Sequence, residues 1–216
     1  EAAAAVALST EDTMRKILLL GAALLCAVGA SAKPRTFDPV AEAVAALAAD
    51  RGASELGTMT VADVERAVAR LSVAMRQEAW IRGSGMASFA LPGLGQFMNR
   101  DPLGGSLYLA GSAAVAAGTL VGAYFLLPAN VQGNWFTAPI GTLETAFESN
   151  SLVDYLPSLG VMAAGMVVDA VLRHLSAAGA VRLAERRVLD GTVSFEPVLI
   201  RSGTGMGFGV RFKSKP

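Results

Sequence analysis

One cluster of ionisable residues lies inside an apolar segment of this chain. Asp169, Arg173 and His174 interrupt the apolar run 155–177. Asp169 and Arg173 are four residues apart and share one face of a helix, whereas His174 points about 100° away from Arg173. Ionisable groups at membrane depth commonly mark an ion path or a proton relay. Two other interpretations stay open: an ion pair at the membrane–water interface, and a polar lock between helices.

A second feature with possible chemistry is a glycine-rich motif. The sequence Leu91-Pro-Gly-Leu-Gly-Gln-Phe-Met-Asn99 contains what we call the PGxGQ motif, formed by Pro92, Gly93, Gly95 and Gln96. Glycine-rich loops can hold phosphate, but a P-loop also needs a following Lys-Ser/Thr and a preceding strand. Both are missing here, so the motif does not indicate nucleotide binding.

The remaining composition argues against catalysis and against a metal or cofactor. The chain has one histidine and one cysteine, Cys26, so His174 has neither a positioned nucleophile nor a second ligand to work with. The 18 basic and 18 acidic side chains cancel, which gives no electrostatic signal for a nucleic-acid partner. We therefore predict a protein that is not an enzyme and that needs no metal or cofactor.

The elements that must position these residues are apolar and membrane-like. Residues 103–127 carry no charged side chain, and a bilayer core of roughly 30 Å needs about 20 apolar helical residues. The segment 155–177 has a similar length. The segment 83–98 is shorter and is broken by Pro92 and Gly93, which predicts a kinked span or a re-entrant segment. The sequence thus predicts about three membrane-embedded segments, with the lipid bilayer as the first partner.

Within the long segment, small residues recur every four positions. Ala110, Ala114, Gly118 and Gly122 lie along one helical face, where small side chains let a second helix approach closely. This face predicts helix packing, either inside the chain or with another copy in a homo-oligomer.

The N-terminal residues have the pattern of a secretory signal. Residues 14–32 combine a basic start, an apolar core and a small-residue end at Ala30-Ser31-Ala32, which predicts cleavage after Ala32. Residues 1–13 are interpreted as an upstream extension. Cys26 lies inside the signal, so lipidation of an envelope lipoprotein is the alternative.

Two polar regions flank the membrane segments. In the N-terminal region, 33–82, the pattern predicts amphipathic helices: one over 39–49, and one with Thr60 as N-cap and Asp63 three residues later, extending to Arg82. Residues 178–216 are basic and then alternate over 192–200 and 205–212, which predicts a β-hairpin. The predicted fold is a mainly α integral membrane protein with a short C-terminal β-hairpin.

The charges suggest a topology. The region 128–154, predicted to be a loop, has no Lys or Arg, whereas the turn at Arg100 and the cluster from Arg182 to Arg187 are basic. With a cleaved signal and three crossings, the basic turn and tail would face the cytoplasm of an inner membrane. If 83–98 does not cross, the same signal places the basic tail outside, against that rule.

The chain resembles a known group over residues 86–213. The PGxGQ motif, the run from Val168 to Leu175 with its Asp169 and His174, and the glycine-rich final strand resemble small bacterial envelope proteins, mostly of unknown function. The signal, the apolar segments and the hairpin also resemble the spirochaetal outer-membrane channel-forming surface protein family. This resemblance implies motif positions at Pro92, Gly93, Gly95, Gln96, Asp169 and His174, without a reaction for any of them.

The resulting functional expectation is a non-enzymatic integral protein of the cell envelope with a structural or interaction role. The alternative is a porin-like channel. Such a channel would have to be an oligomer, because three spans of one copy enclose no pore. An envelope lipoprotein comes third. The patterns leave open whether the membrane is the inner or the outer one.

Overall fold

Helices form most of the chain in the computed structural model, which describes residues 37–49, 60–202 and 205–214. The predicted upstream extension over 1–13, the predicted signal peptide over 14–32 and Cys26 lie outside the described residues. Seven helices and two strands follow one another in the described part: α1 Pro39–Ala49, α2 Val61–Ala90, α3 Leu94–Met98, α4 Pro102–Phe125, α5 Ala129–Asn134, α6 Ile140–Glu148, α7 Leu152–Leu189, β1 Val193–Ser202 and β2 Gly205–Ser214.

The described residues divide into two units. One, here called the helix-pair unit, consists of residues 106–175. The other, here called the mixed unit, combines 37–105 with 176–214 and so contains α1, α2, α3, the hairpin and the adjoining ends of α4 and α7.

The core of the mixed unit is built from both ends of the described chain. Ile81 of α2 is completely buried against Val188 of α7 and Val193 of β1, and Phe37 belongs to the same cluster. The strands pair antiparallel with Phe195 opposite Phe212, and the ring of Phe212 lies 5.1 Å from that of Trp80, centre to centre. The predicted hairpin is confirmed, and it completes an apolar core.

Helix α2 begins as the sequence predicts but ends later. Thr60 and Asp63 form a capping box: the Thr60 hydroxyl accepts from the Asp63 backbone N–H, and the Asp63 carboxylate accepts from that of Thr60. The helix then continues through Gly83 to Ala90, so the change of composition at residue 83 is not a helix boundary.

The segment 83–98 therefore does not form one embedded element. Its first half is the end of α2, its second half is α3, and a tight turn folds α3 back so that the Gly95 N–H donates to Ser88 Oγ over 2.8 Å. The described residues contain two helices long and apolar enough to span a membrane, α4 and α7, where the sequence predicted three embedded segments.

Three crossings also conflict with the core of the mixed unit. They would put the region before α4 and the basic tail on opposite faces of a membrane, yet Phe37 and Ile81 share a core with Val188 and Val193. Residues that pack together cannot lie on opposite faces of a membrane, so this core does not fit three crossings. The sequence pattern predicted a third embedded segment because the fold-back at 91–93 has no signal in hydropathy.

The helix-pair unit brings α4 against α7. Pro102 occupies the first position of α4, as predicted, and Asp101 Oδ1 accepts from the Gly104 N–H over 3.0 Å. The region 128–154 is not an irregular loop, because α5 and α6 fold within it. Helix α7 extends beyond the predicted 155–177 at both ends and includes the basic cluster near Arg182.

Candidate functional site

The PGxGQ motif forms the turn between α2 and α3. Gly93 has a left-handed φ of 93°, which favours glycine, and its N–H donates to Ser176 Oγ over 2.8 Å. A Cβ on Gly93 would also lie 3.1 Å from the Cα of Gly105 and still closer to its carbonyl. Conformation and space therefore both require glycine here, and Pro92 before it is buried.

Gly95 lets α3 lie directly on α2. A Cβ at this position would overlap the carbonyl oxygen of Ser84 and would lie 2.7 Å from Ser88 Oγ and 2.8 Å from the Cβ of Ala180. The second glycine of the motif thus allows α3 to approach α2 closely.

Gln96 connects three helices through its amide. Its side chain is 3% exposed. Oε1 accepts from Ser88 Oγ of α2 over 2.6 Å, and Nε2 donates to the carbonyl of Ser176 in α7 over 2.9 Å. The amide orientation is assigned from these partners. A buried amide with both ends paired fixes the arrangement of the helices that it joins.

Asn99 extends this network, although sequence reasoning assigned it no role. Its Nδ2 donates to Ser84 Oγ over 3.1 Å and to the Gly95 carbonyl over 2.7 Å, while Oδ1 accepts from the indole N–H of Trp80 over 3.1 Å. The sequence did contain one signal for these contacts. Ser84 and Ser88 are four residues apart and so place two hydroxyls on one face of α2. We call the set of Ser84, Ser88, Gln96, Asn99 and Ser176 the polar lock.

The polar lock has the chemistry of packing. Its hydroxyls and amides are neutral, and every buried side-chain nitrogen or oxygen in the part of the chain that the structure describes has a hydrogen-bond partner. The hydrogen bonds of the polar lock thus run between the helices that it joins. Among the described residues, no group of three His, Cys, Asp or Glu side chains could hold a metal ion.

The second candidate site lies in the helix-pair unit. Asp169 Oδ1 accepts from Ser112 Oγ of α4 over 2.7 Å, and Oδ2 lies 2.6 Å from Arg173 Nε of its own helix. Of the three interpretations of this cluster, these contacts have the geometry of a polar contact between two helices, separate from the polar lock of the mixed unit. Ser112 was missed, because a serine in a Gly/Ala-rich helix has no distinctive signal.

His174 has a contact within its own helix. Its Nδ1 lies 3.1 Å from the carbonyl of Ala170, one turn earlier in α7, and the side chain is exposed. The structure thus brings Asp169 and Arg173 together and leaves His174 on another face of the helix.

The small-residue face of α4 makes little contact with α7. Ala110, Ala114 and Gly118 are exposed, and only Gly122 meets α7, where an added Cβ would lie 3.2 Å from Val161 Cγ1. The two helices instead meet through other positions. Thr119 lies against Gly165, and Ser158 Oγ donates to the carbonyl of Ala123 over 2.8 Å.

Comparison with known proteins gives no further identification. No protein-family model, no curated protein and no solved structure matches this chain.

Proposed function

We propose that this chain is an integral membrane protein of the cell envelope, anchored by α4 and α7 and serving a structural or interaction role. One observation carries the proposal: the large apolar side chains of these two helices point outward. Leu103 of α4 is 82% exposed and Met166 of α7 is 72% exposed, and only 11% and 6% of the most apolar windows of the two helices are buried. Exposure of such a surface to water is unfavourable, whereas exposure to lipid is favourable.

The lengths and the polar groups of the two helices support this proposal. The 24 residues of α4 span about 36 Å, enough for the hydrocarbon core. Polar side chains in the pair are satisfied internally: Ser112 by Asp169, Ser158 by the carbonyl of Ala123, and Thr119 by the carbonyl of Val115 over 2.7 Å. A bilayer requires such internal partners.

The fold of the mixed unit supports two crossings, and this number bears on the choice of membrane. If the predicted signal is cleaved after Ala32, the mixed unit with its Arg182–Arg187 cluster lies outside the inner membrane, opposite to the positive-inside rule. That rule concerns cytoplasmic loops and does not apply to proteins of an outer membrane. The combination of a cleaved signal with two crossings therefore favours outer-membrane residence.

The first experiment determines on which side of the membrane three positions lie. Single cysteines replace Ala45, Thr137 and Arg211, all exposed, one at a time in a Cys26→Ser chain, and a membrane-impermeant maleimide labels sealed membranes. We expect residues 45 and 211 to be labelled from the same side and residue 137 from the other, in protein that resists carbonate extraction. Labelling of 45 and 211 from opposite sides would disprove two crossings, and release by carbonate would refute membrane anchoring.

An oligomeric pore is the second candidate, and the exposed face of α4 favours it. Ala110, Ala114 and Gly118 remain open to another helix. We expect no conductance steps from reconstituted protein if the role is structural. Reproducible unitary steps whose size changes in Asp169→Asn would instead establish the pore.

A further inference from the structure

We infer that residues 126–151, here called the cap, bind the headgroup–acyl boundary of the bilayer instead of extending into water as a loop. The cap joins α4 to α7 and contains α5 and α6. This inference rests on the proposed insertion of α4 and α7, and it names the lipid surface as the partner of a region that neither helix accounts for.

The cap exposes its largest apolar side chains. Phe136 is 80% exposed and Ile140 is 85% exposed, and Leu126 and Trp135 are exposed as well. The buried apolar residues of the cap are smaller, namely Val131 and Ala146. Burial of a Phe or Ile side chain is favourable by about 1.5–3 kcal/mol, so a lipid surface would gain from covering them.

The polar side chains of the cap bond to one another. Asn130 Nδ2 donates to Ser149 Oγ over 3.0 Å, and Asn150 Nδ2 donates to Asn130 Oδ1 over 3.1 Å and to the carbonyl of Ala146 over 2.6 Å. These bonds join the start of α5 to the end of α6 and satisfy a carbonyl at the end of α6. The cap is thus a folded element that needs less water than an irregular loop of the same composition.

Aromatic contacts hold the cap to the ends of the two long helices. The ring of Phe136 lies 5.5 Å from that of Tyr124 in α4, and the ring of Phe147 lies 5.7 Å from that of Tyr155 in α7. Trp135 completes the set with a ring contact of 6.1 Å to Phe147. Tryptophan and tyrosine concentrate where a membrane protein leaves the hydrocarbon core, because each ring combines an apolar body with a polar group.

Continuity with the exposed surface of the long helices favours lipid over another partner. Phe125 at the end of α4 and Leu152 at the start of α7 are exposed, so the apolar surface of the two helices continues into the cap. In α6, Ile140 and Phe147 lie within about 20° of one another around the helix axis, whereas Thr145 lies about 140° from Ile140. One side of α6 can therefore enter lipid while the other stays in water.

The charge of the cap defines how it would bind. Glu144 and Glu148 are its charged residues, and it has no Lys or Arg. Binding by such a surface depends on apolar contact and not on attraction to anionic headgroups. We expect the same depth in vesicles of phosphatidylcholine alone as in vesicles that contain phosphatidylglycerol.

The test measures the depth of nitroxide labels in reconstituted full-length protein. Cysteines replace Ile140, Thr145 and Ala113 singly in a Cys26→Ser chain; Thr145 is the matched control on the same helix, and Ala113 is an exposed residue in the middle of α4. We expect the label at 140 to lose most collisions with a water-soluble nickel chelate and to gain collisions with oxygen, while the label at 145 keeps its nickel collisions. Phe136→Cys is a second variant with the same expectation.

The outcomes separate the two proposals. Labels at 140 and 145 that both collide freely with nickel, with 113 in lipid, overturn the cap inference and leave the anchoring proposal standing. A label at 113 that collides freely with nickel overturns both. Labels at 140 and 145 that are equally deep in lipid contradict a boundary position. Dipolar broadening between labels at 140, with shielding from both reagents, shows that a second copy covers the surface and also overturns the inference.

Discussion

The mixed unit and the helix-pair unit use polar and apolar side chains in opposite ways. The mixed unit encloses Ile81 and Val193 in an apolar core and buries neutral amides and hydroxyls in the polar lock. The helix-pair unit leaves Leu107 and Met166 exposed. It joins its helices through the carboxylate of Asp169, which pairs with Arg173 of its own helix and accepts from Ser112 of α4. The mixed unit thus encloses its large apolar side chains, whereas the helix-pair unit leaves them on its surface.

The difference also shows how each unit brings its helices together. In the mixed unit, hydrogen bonds from Gln96 and Asn99 reach residues of other helices, and glycines allow close approach. In the helix-pair unit, α4 and α7 approach closely at Gly165 and are joined by single hydrogen bonds from Ser112 and Ser158. Substitutions at glycine therefore test both units on the same terms.

The largest effect is expected for Gly95→Ala. The new methyl group would overlap the backbone carbonyl of Ser84, which cannot move without displacing α2. Overpacking costs about 1–3 kcal/mol, and a backbone contact places this variant near about 3 kcal/mol of lost unfolding free energy, measured by denaturant titration in detergent micelles. Gly83→Ala is the control, since a Cβ there meets nothing within 4 Å and should stabilise α2 by up to about 1 kcal/mol. Equal stability of the two variants would mean that α3 does not lie against α2.

A smaller loss is expected for Gly165→Ala in the helix-pair unit. Its methyl group would overlap the side chain of Thr119 and lie 2.7 Å from its Cβ. A side chain yields at lower cost than the backbone carbonyl that Gly95→Ala would meet. We expect a loss of about 2 kcal/mol and a longer α4–α7 distance, measured between spin labels on the two helices. Gly160→Ala lies in the same helix with open space around it. We expect this variant neither to lower the unfolding free energy nor to lengthen the α4–α7 distance. An unchanged distance in Gly165→Ala would contradict the helix pairing.

The smallest effect is expected for Ser112→Ala. Hydrogen bonds between helices in membranes contribute about 0.6 kcal/mol on average, with a maximum of about 1.7. A double-mutant cycle of Ser112→Ala with Asp169→Ala should return a coupling of that size. The cycle with His174→Ala should be additive, because His174 bonds its own helix. Coupling to His174 instead of Asp169 would show that the cluster is assembled differently.

The sequence predicted what depends on neighbours in the chain. The capping box at Thr60, the start of α4 at Pro102 and the hairpin all follow from residues within a few positions of one another. The fold-back of 83–98 depends on Ser176, which lies 80 residues after Gln96, and no local pattern reports such a partner. The small-residue face of α4 shows where a helix can approach, but not which helix does, so the sequence left the partner open.

The core of the mixed unit also constrains the order of folding. Phe37 opens the described chain and Val193 lies near its end, so the core is incomplete until the hairpin has been synthesised. Closing so long a loop is entropically costly and slow when the intervening chain is unstructured. Insertion of α4 and α7 as a pair would bring residues 105 and 176 close together and replace most of that loop with a rigid connection. If the two helices insert as proposed, the bilayer acts as a template on which the mixed unit assembles.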